Sequence, residues 1–230
     1  MTARHGTGPP DVRIDSAIFD LDGTLIDSMW VWERIDVDFL AKRGIEVPPD
    51  YFDAISALGF RETANYTIGR FSLDESPDAL MREWNDMAMY EYSNNIGLKP
   101  GVGEYLERLR AAGVKLAVAT SSPPELSEPV LANNGIRAIF EAVCTAGDVT
   151  RGKEFPDIFL YAAERISTPP ERCLVFEDTL PAVRSAKRAG MSVWGVYDDS
   201  SRDHWEEIKR TADGYLRDFR DAPQADYSYP

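Results

Sequence analysis

Carboxylates dominate the residues of this chain that could do chemistry. Asp20 and Asp22 lie two positions apart in FDLDGT, and Glu177 and Asp178 are adjacent in VFEDT. Between these pairs the chain supplies the hydroxyls of Thr120, Ser121 and Ser122 in ATSS, and one lysine, Lys153, in GKEFPDIF. Two carboxylates about 4 Å apart repel by roughly 4 kcal/mol at an effective dielectric near 20. If the acidic pairs meet, Lys153 alone cannot neutralise them. A divalent cation removes the conflict. All-oxygen ligation by few carboxylates favours Mg²⁺, which keeps waters and shares its sphere with phosphate oxygens. A cation, a lysine and a hydroxyl together fit a phosphoryl group, and a carboxylate facing such a group can attack it.

Whether these residues meet depends on the elements that carry them. Short apolar runs recur at Ser16 to Leu21, Val114 to Ala119, Ala142 to Thr145, Cys173 to Phe176 and Ser192 to Val196, with a further edge strand expected at Tyr215 to Phe219. Helix-like segments alternate with them, near 102–112, 124–134, 156–166, 180–189 and 203–211, several closed by a glycine such as Gly113, Gly135 or Gly190. Continuous apolar strands separated by helices predict a doubly wound, mostly parallel sheet covered on both faces. Asp20, Asp22, Thr120, Glu177 and Asp178 all fall at strand ends, and Lys153 precedes a helix. Ligands bind at that edge of open α/β sheets.

One stretch breaks the rhythm. Residues 29–94 read as helices at Trp30 to Arg43, near 50–57, at Arg61 to Phe71 and at Ser76 to Tyr92, with Ser76-Pro77-Asp78 a helix start and Gly44 a stop. The expected organisation is a tail over 1–13, an α/β core over 14–28 and 95–220, an inserted all-α cap over 29–94, and a tail over 221–230.

Composition narrows the classes of function. The 230 residues carry 39 acidic against 25 basic side chains, a net charge of −14, which opposes nucleic acid or an anionic membrane as partner. Two cysteines are too few for a disulfide framework or a structural zinc site. His5 lies in the expected tail and His204 among charged residues, so histidine-based hydrolysis and histidine-ligated zinc are disfavoured. With no secretory signal pattern and no apolar run of membrane length, a cytoplasmic protein is expected, a monomer or small homo-oligomer. Gly147 to Lys153 fits the spacing of an NTPase phosphate loop, but Glu154 stands where the magnesium-binding hydroxyl belongs.

FDLDGTLIDS, VATSS, GKEFPDIF and VFEDTLPAVRSAKRAGM resemble, in order and spacing, the four motifs of the haloacid dehalogenase superfamily. The resemblance spans about residues 14–200 and is closest to the helical-cap branch that includes β-phosphoglucomutases and many small phosphatases. It implies a Rossmann-like core and an aspartyl-phosphate intermediate. Asp20 would be the nucleophile and Asp22 the general acid and base. The implied metal residues are Asp20, Asp22 through its carbonyl, and Asp178 as a direct ligand, with Glu177 either a further ligand or the support behind it. Thr120, Ser121 and Lys153 would hold the phosphoryl oxygens.

Asp22 argues against dehalogenation, because halide leaves without a proton. The mutases carry a histidine in the first cap helix, whereas residues 29–94 contain none. The expectation is thus a Mg²⁺-dependent phosphatase acting on a sugar phosphate or nucleotide-like monoester, with a β-phosphoglucomutase-like mutase or a non-catalytic metal-binding protein as alternatives. Trp30, Trp32, Glu33 and Arg61 are the candidates for substrate choice in the cap.

Overall fold

The structure is a computed structural model that describes residues 12–55, 58, 60–224 and 228–229. Its elements run in chain order from β1 (Val12–Arg13) and β2 (Ser16–Phe19) through four consecutive helices, α1 (Val31–Ala41), α2 (Tyr51–Ile55), α3 (Phe60–Phe71) and α4 (Pro77–Asn94). Alternation then sets in with α5 (Val102–Ala111), β3 (Lys115–Thr120), α6 (Pro124–Asn133), β4 (Ala142–Thr145) and α7 (Asp157–Arg165). It continues with β5 (Cys173–Glu177), α8 (Leu180–Arg188), β6 (Ser192–Val196), α9 (Trp205–Thr211) and β7 (Gly214–Leu216), and closes on β8 (Ser228–Tyr229). Two compact units result, Met29–Asn95 and the described residues on either side of it.

The flanking unit is built on a parallel six-stranded sheet ordered β4-β3-β2-β5-β6-β7. β2 is central and buried along its whole length, which is why its sequence is a continuous apolar run rather than an alternating one. On one face Ile18, Ala117 and Val175 pack with Ile158, Phe159 and Ala162 of α7 and Val183 of α8. An aromatic layer marks β2 and β5: the Phe19 and Phe176 rings stack at 4.9 Å, with Tyr105 edge-on to Phe176 at 5.5 Å and Phe219 tilted beside it at 5.5 Å. Cys144 on β4 and Cys173 on β5 are free thiols sunk in the same sheet. Burial pushes the Cys144 thiol up to about 11, and it raises Cys173 as well.

Two expectations need correction. The edge strand is Gly214–Leu216 and ends before Phe219, because the Asp218 carboxylate accepts the Arg220 amide at 2.9 Å and turns the chain there. The terminal segments are not wholly tails: Val12 pairs opposite Tyr229 and Arg13 opposite Ser228 in a small antiparallel ladder. Residues 1–11, 225–227 and 230 of those expected tails lie outside the described residues, as do residues 56–57 of the second expected helix. No helix among the described residues is long and apolar enough to cross a membrane.

The helical unit has its own core. Phe39 of α1 meets Trp84 of α4 edge-on at 5.6 Å. The Arg43 guanidinium lies over the Phe39 ring and donates to Glu75 and Glu83 at 2.7 Å each, joining the segment just after α1 to the residue before the α4 cap and to α4 itself. Ser76 accepts the Ala79 amide at 3.2 Å, and Pro77 occupies the first helical position, where it costs no hydrogen bond.

Asp36 is buried in this unit, with Tyr51 as a hydrogen-bonding partner. The Tyr51 hydroxyl in turn lies 2.7 Å from Thr67 Oγ1. Burial raises the Asp36 carboxyl to about 7, against 3.8 when unfolded. Between those values the folded chain holds the extra proton, so this residue's contribution to stability falls as pH rises from 4 to 7. Asp36→Asn removes that penalty. The variant is expected to match the parent near pH 4 and to melt higher at pH 8, by at most about 4 kcal/mol. Thermal melts across that range check it; a gap that stays constant with pH refutes it.

Candidate active site

The site forms where β2 and β5 end side by side. Parallel pairing sets Phe19 opposite Phe176, and the Asp20 amide extends the ladder to the Phe176 carbonyl at 3.0 Å. Register therefore brings Asp20 beside Glu177. Asp178, one residue further, completes a cluster in which one carboxylate oxygen from each residue lies within 4.8 Å of the other two, and all three residues are buried. Lys153 enters from the loop before α7. Its ammonium donates to Asp20 Oδ1 and lies 2.7 Å from Glu177 Oε2.

After Asp20 the chain folds sharply. The Leu25 and Ile26 amides both return to the Leu21 carbonyl, at 2.9 and 3.0 Å, and the Gly23 amide donates to Ile26. Gly23 has φ +84°, a left-handed conformation that side chains rarely adopt. This turn carries Asp22 and Thr24. Ser28 Oγ donates to Asp22 Oδ1 and Ser122 Oγ to Asp22 Oδ2, both at 2.7 Å, so each oxygen of that carboxylate is engaged. Thr24 Oγ1 donates to Asp178 Oδ1 at 3.1 Å.

Glu177 differs from its neighbours. Its Oε1 accepts the Asp178 and Thr179 amides and the Thr179 hydroxyl, at 3.1, 2.9 and 2.9 Å, and its Oε2 faces Lys153. Its geometry makes it a strut for the loop after β5. Asp20 Oδ2, Asp178 Oδ2 and Glu177 Oε2 are all buried oxygens with no hydrogen bond, but of the three the Glu177 oxygen is the one paired with the Lys153 ammonium, at 2.7 Å. Unpartnered buried carboxylate oxygens are costly unless something positive satisfies them. The residues present therefore fit a hard cation, with Asp20 and Asp178 offering the free oxygens.

The protonation balance agrees. Burial, opposed by Lys153 and reinforced by the nearby carboxylates, raises Asp20 from 3.8 to about 7. Burial and the neighbouring Asp20 and Glu177 charges hold Asp178 well above the usual carboxylate range. Burial would lower the Lys153 ammonium, but Asp20 and Glu177 outweigh it and shift it upward. One lysine does not return Asp20 and Asp178 to their ordinary behaviour.

Of the other sequence candidates, Thr120 is fully buried at the end of β3, where its Oγ1 accepts the Ser122 amide at 3.0 Å and shapes the loop. Ser121 is exposed on that loop. Trp30, Trp32, Glu33 and Arg61 lie in the helical unit. Trp32 is 37% exposed and meets Phe60 edge-on at 5.8 Å, the Arg34 guanidinium lies 5.8 Å from the Trp30 ring, and Glu33 sits exposed in the first turn of α1. Arg61 is paired with Asp78 at 2.6 Å.

Sequence reasoning assigned no role to Ser28, Lys99 or Asp198, and gave Ser122 none beyond its place in the loop. Asp198 had one signal available, since it follows β6 at the same edge of the sheet.

A doubly wound sheet that gathers buried carboxylates, a lysine and hydroxyls at its strand ends defines an α/β enzyme with a cation-demanding acidic site. The haloacid dehalogenase-like hydrolase family matches residues 14–190, and the chain belongs to that family. It is 31% identical over 200 residues to the probable pseudouridine-5'-phosphatase of Drosophila melanogaster, covering 81% of this chain and 83% of that protein. With the fructose-1-phosphate phosphatase YqaB of Escherichia coli it shares 29% identity over 184 residues, 80% of this chain and 97% of that one. A putative β-phosphoglucomutase from Thermotoga maritima superposes with a TM-score of 0.80 at 25% identity, over 90% of this chain and 96% of that structure. The chain is thus a hydrolase-family enzyme with named phosphatases among its relatives.

Proposed function

We propose that this chain is a Mg²⁺-dependent phosphatase that hydrolyses a small phosphorylated metabolite, a sugar phosphate or nucleotide-like monoester, through an aspartyl-phosphate on Asp20. The observation that carries the reading is the pair of buried, unpartnered oxygens on Asp20 and Asp178 beside the Lys153 ammonium. Relatives named for a sugar phosphate and a nucleoside phosphate support the substrate class. Asp20, Asp178 and the Asp22 carbonyl would hold the cation, with Glu177 bracing them, and the cation would offset the charge of carboxylates and phosphate in one cleft.

The residues then divide the work. An Asp20 carboxylate oxygen attacks phosphorus, and the bond from phosphorus to the ester oxygen breaks. Asp22, oriented by Ser28 and Ser122, gives its proton to the departing oxygen. The Asp22 carboxylate next takes a proton from water, whose oxygen attacks the phosphorus. The bond to Asp20 breaks, phosphate is released, and Asp20 is a free carboxylate again. Lys153 keeps Asp20 oriented and, with Thr120 and Ser121, is assigned to the phosphoryl oxygens. Residues 29–95 are assigned to substrate choice through Trp30, Trp32, Glu33 and Arg61.

The test is release of free phosphate from an aryl phosphate and from a panel of phosphorylated metabolites, with and without a chelator. Turnover abolished by chelator and restored by Mg²⁺ is expected. Conversion of a sugar phosphate to its isomer with little phosphate released would favour a mutase; Mg²⁺ stabilisation with no turnover on any ester would favour a non-catalytic binder. Asp22→Asn is expected to slow turnover about 10²- to 10⁴-fold while phosphate still binds. Unchanged turnover in that variant removes Asp22 from the acid–base role.

A further inference from the structure

Lys99 stands outside the four motifs, yet its side chain, 12% exposed, reaches the same sheet edge. Its ammonium has three protons and three acceptors: the Gly23 carbonyl at 2.7 Å, the Tyr197 carbonyl at 2.8 Å and Asp198 Oδ2 at 2.8 Å. These acceptors lie on two loops, the turn after β2 and the segment after β6. The Lys99 backbone is fixed too, because its amide donates to the Leu25 carbonyl at 2.9 Å and the neighbouring Asp27 amide donates to Gly97. Asp198 is equally committed, its Oδ1 accepting the Ser200 amide and hydroxyl at 3.0 and 2.6 Å.

The Gly23 carbonyl is the informative partner. The peptide it belongs to joins Gly23 to Thr24. Asp22 precedes that peptide, and Thr24, which holds Asp178, follows it. The bonds within the turn engage the Gly23 amide and the Leu21 carbonyl, whereas the Gly23 carbonyl points to the Lys99 ammonium, which anchors its direction from outside the turn. We propose that Lys99 is a positioning residue that locks the Gly23–Thr24 peptide against the loop after β6 and thereby orients Asp22 and Asp178 for the reaction. The proposal rests on the phosphatase reading for its kinetic consequence, and on the geometry alone for its effect on the cation site.

Lys99→Met, Asp198→Asn and the double variant test it, each compared with the parent by aryl phosphate kinetics at saturating Mg²⁺ and by Mg²⁺ titration followed through Tm. For Lys99→Met the expected result is a kcat about 10-fold or more lower with KM changed little, the cost of a small misalignment. The rise of Tm on adding Mg²⁺ should also shrink. Asp198→Asn leaves the Gly23 bond and should lose less, about 3-fold, and the double variant should be no worse than Lys99→Met alone, as residues acting as one unit behave. A kcat within twofold of the parent, per folded molecule, overturns the proposal even if Tm falls, because a merely structural lysine would give that pattern.

If the parent itself turns over no ester, the phosphatase reading fails separately. The Mg²⁺ titration then decides: an equal Tm rise in parent and Lys99→Met, or none in either, overturns the role of Lys99. Should Lys99→Met fail to fold, Asp198→Asn carries the test, and a kcat or Mg²⁺ response equal to the parent's overturns it.

Discussion

Asparagine in place of Asp20 is expected to lower turnover of an aryl phosphate by at least about 10³-fold, because an amide cannot attack phosphorus as a carboxylate does. The rest of the site should survive the change. Lys153 keeps Glu177 at 2.7 Å, Asp178 keeps Thr24, and the backbone amide at position 20 still extends the ladder to Phe176. One buried negative charge disappears as well, so the chelated variant should melt no lower than the chelated parent at pH 8. Single-turnover phosphate release and the mass of trapped phosphorylated protein check the kinetic half. Activity within tenfold of the parent, or a phosphorylated adduct still formed on another residue, rules out Asp20 as nucleophile.

Lys153→Met should have the largest effect on stability. It removes the ammonium from among Asp20, Glu177 and Asp178, leaving buried carboxyls with no opposite charge. Breaking such a buried arrangement from one side costs about 3–5 kcal/mol, which for a chain of this size lowers Tm by roughly 6–20 °C. The loss should depend on pH. Burial raises Asp20 to about 7 even with Lys153 holding it down, so without the lysine the carboxyl shifts higher still, and below pH 6 it carries a proton and needs the lysine less. At pH 8 the penalty is larger, because more of the carboxyl charge must be borne unpaired. Melts in chelator at pH 5.5 and pH 8 therefore diverge, and Mg²⁺ recovers part of the loss at the higher pH. Equal melting of variant and parent at pH 8 would mean that the three carboxyls do not repel as placed.

What could be read in the sequence was the scaffold and the order in which it delivers its polar residues. Parallel strands buried on both faces leave unbroken apolar runs, so SAIF, AVCT and SVWGV mark their own positions and the residues after them mark the sheet edge. Boundaries were less visible where a side chain turns the chain, as Asp218 does after β7. The difference between Glu177 and Asp178 was not legible in the residues themselves; the resemblance implied roles but left Glu177 either a ligand or a support. Glu177 and Asp178 are adjacent in sequence, yet one is consumed by its own loop and the other keeps an oxygen open, a difference set by Thr179, Lys153 and Thr24 in three dimensions. Lys99 was invisible for a similar reason. Its partners lie 76, 98 and 99 positions away, and no local pattern distinguishes an inward lysine in LKPG from a solvated one.

The two thiols in the central sheet give the molecule a built-in clock. Cys144 and Cys173 are 1% and 0% exposed, and as protonated thiols they are poor nucleophiles, so an alkylating reagent added to native protein has nothing to react with until the sheet opens around β4 or around β5. Labelling should then report the rate at which the sheet opens rather than surface chemistry, and storage in air without reductant should leave both sulfurs intact.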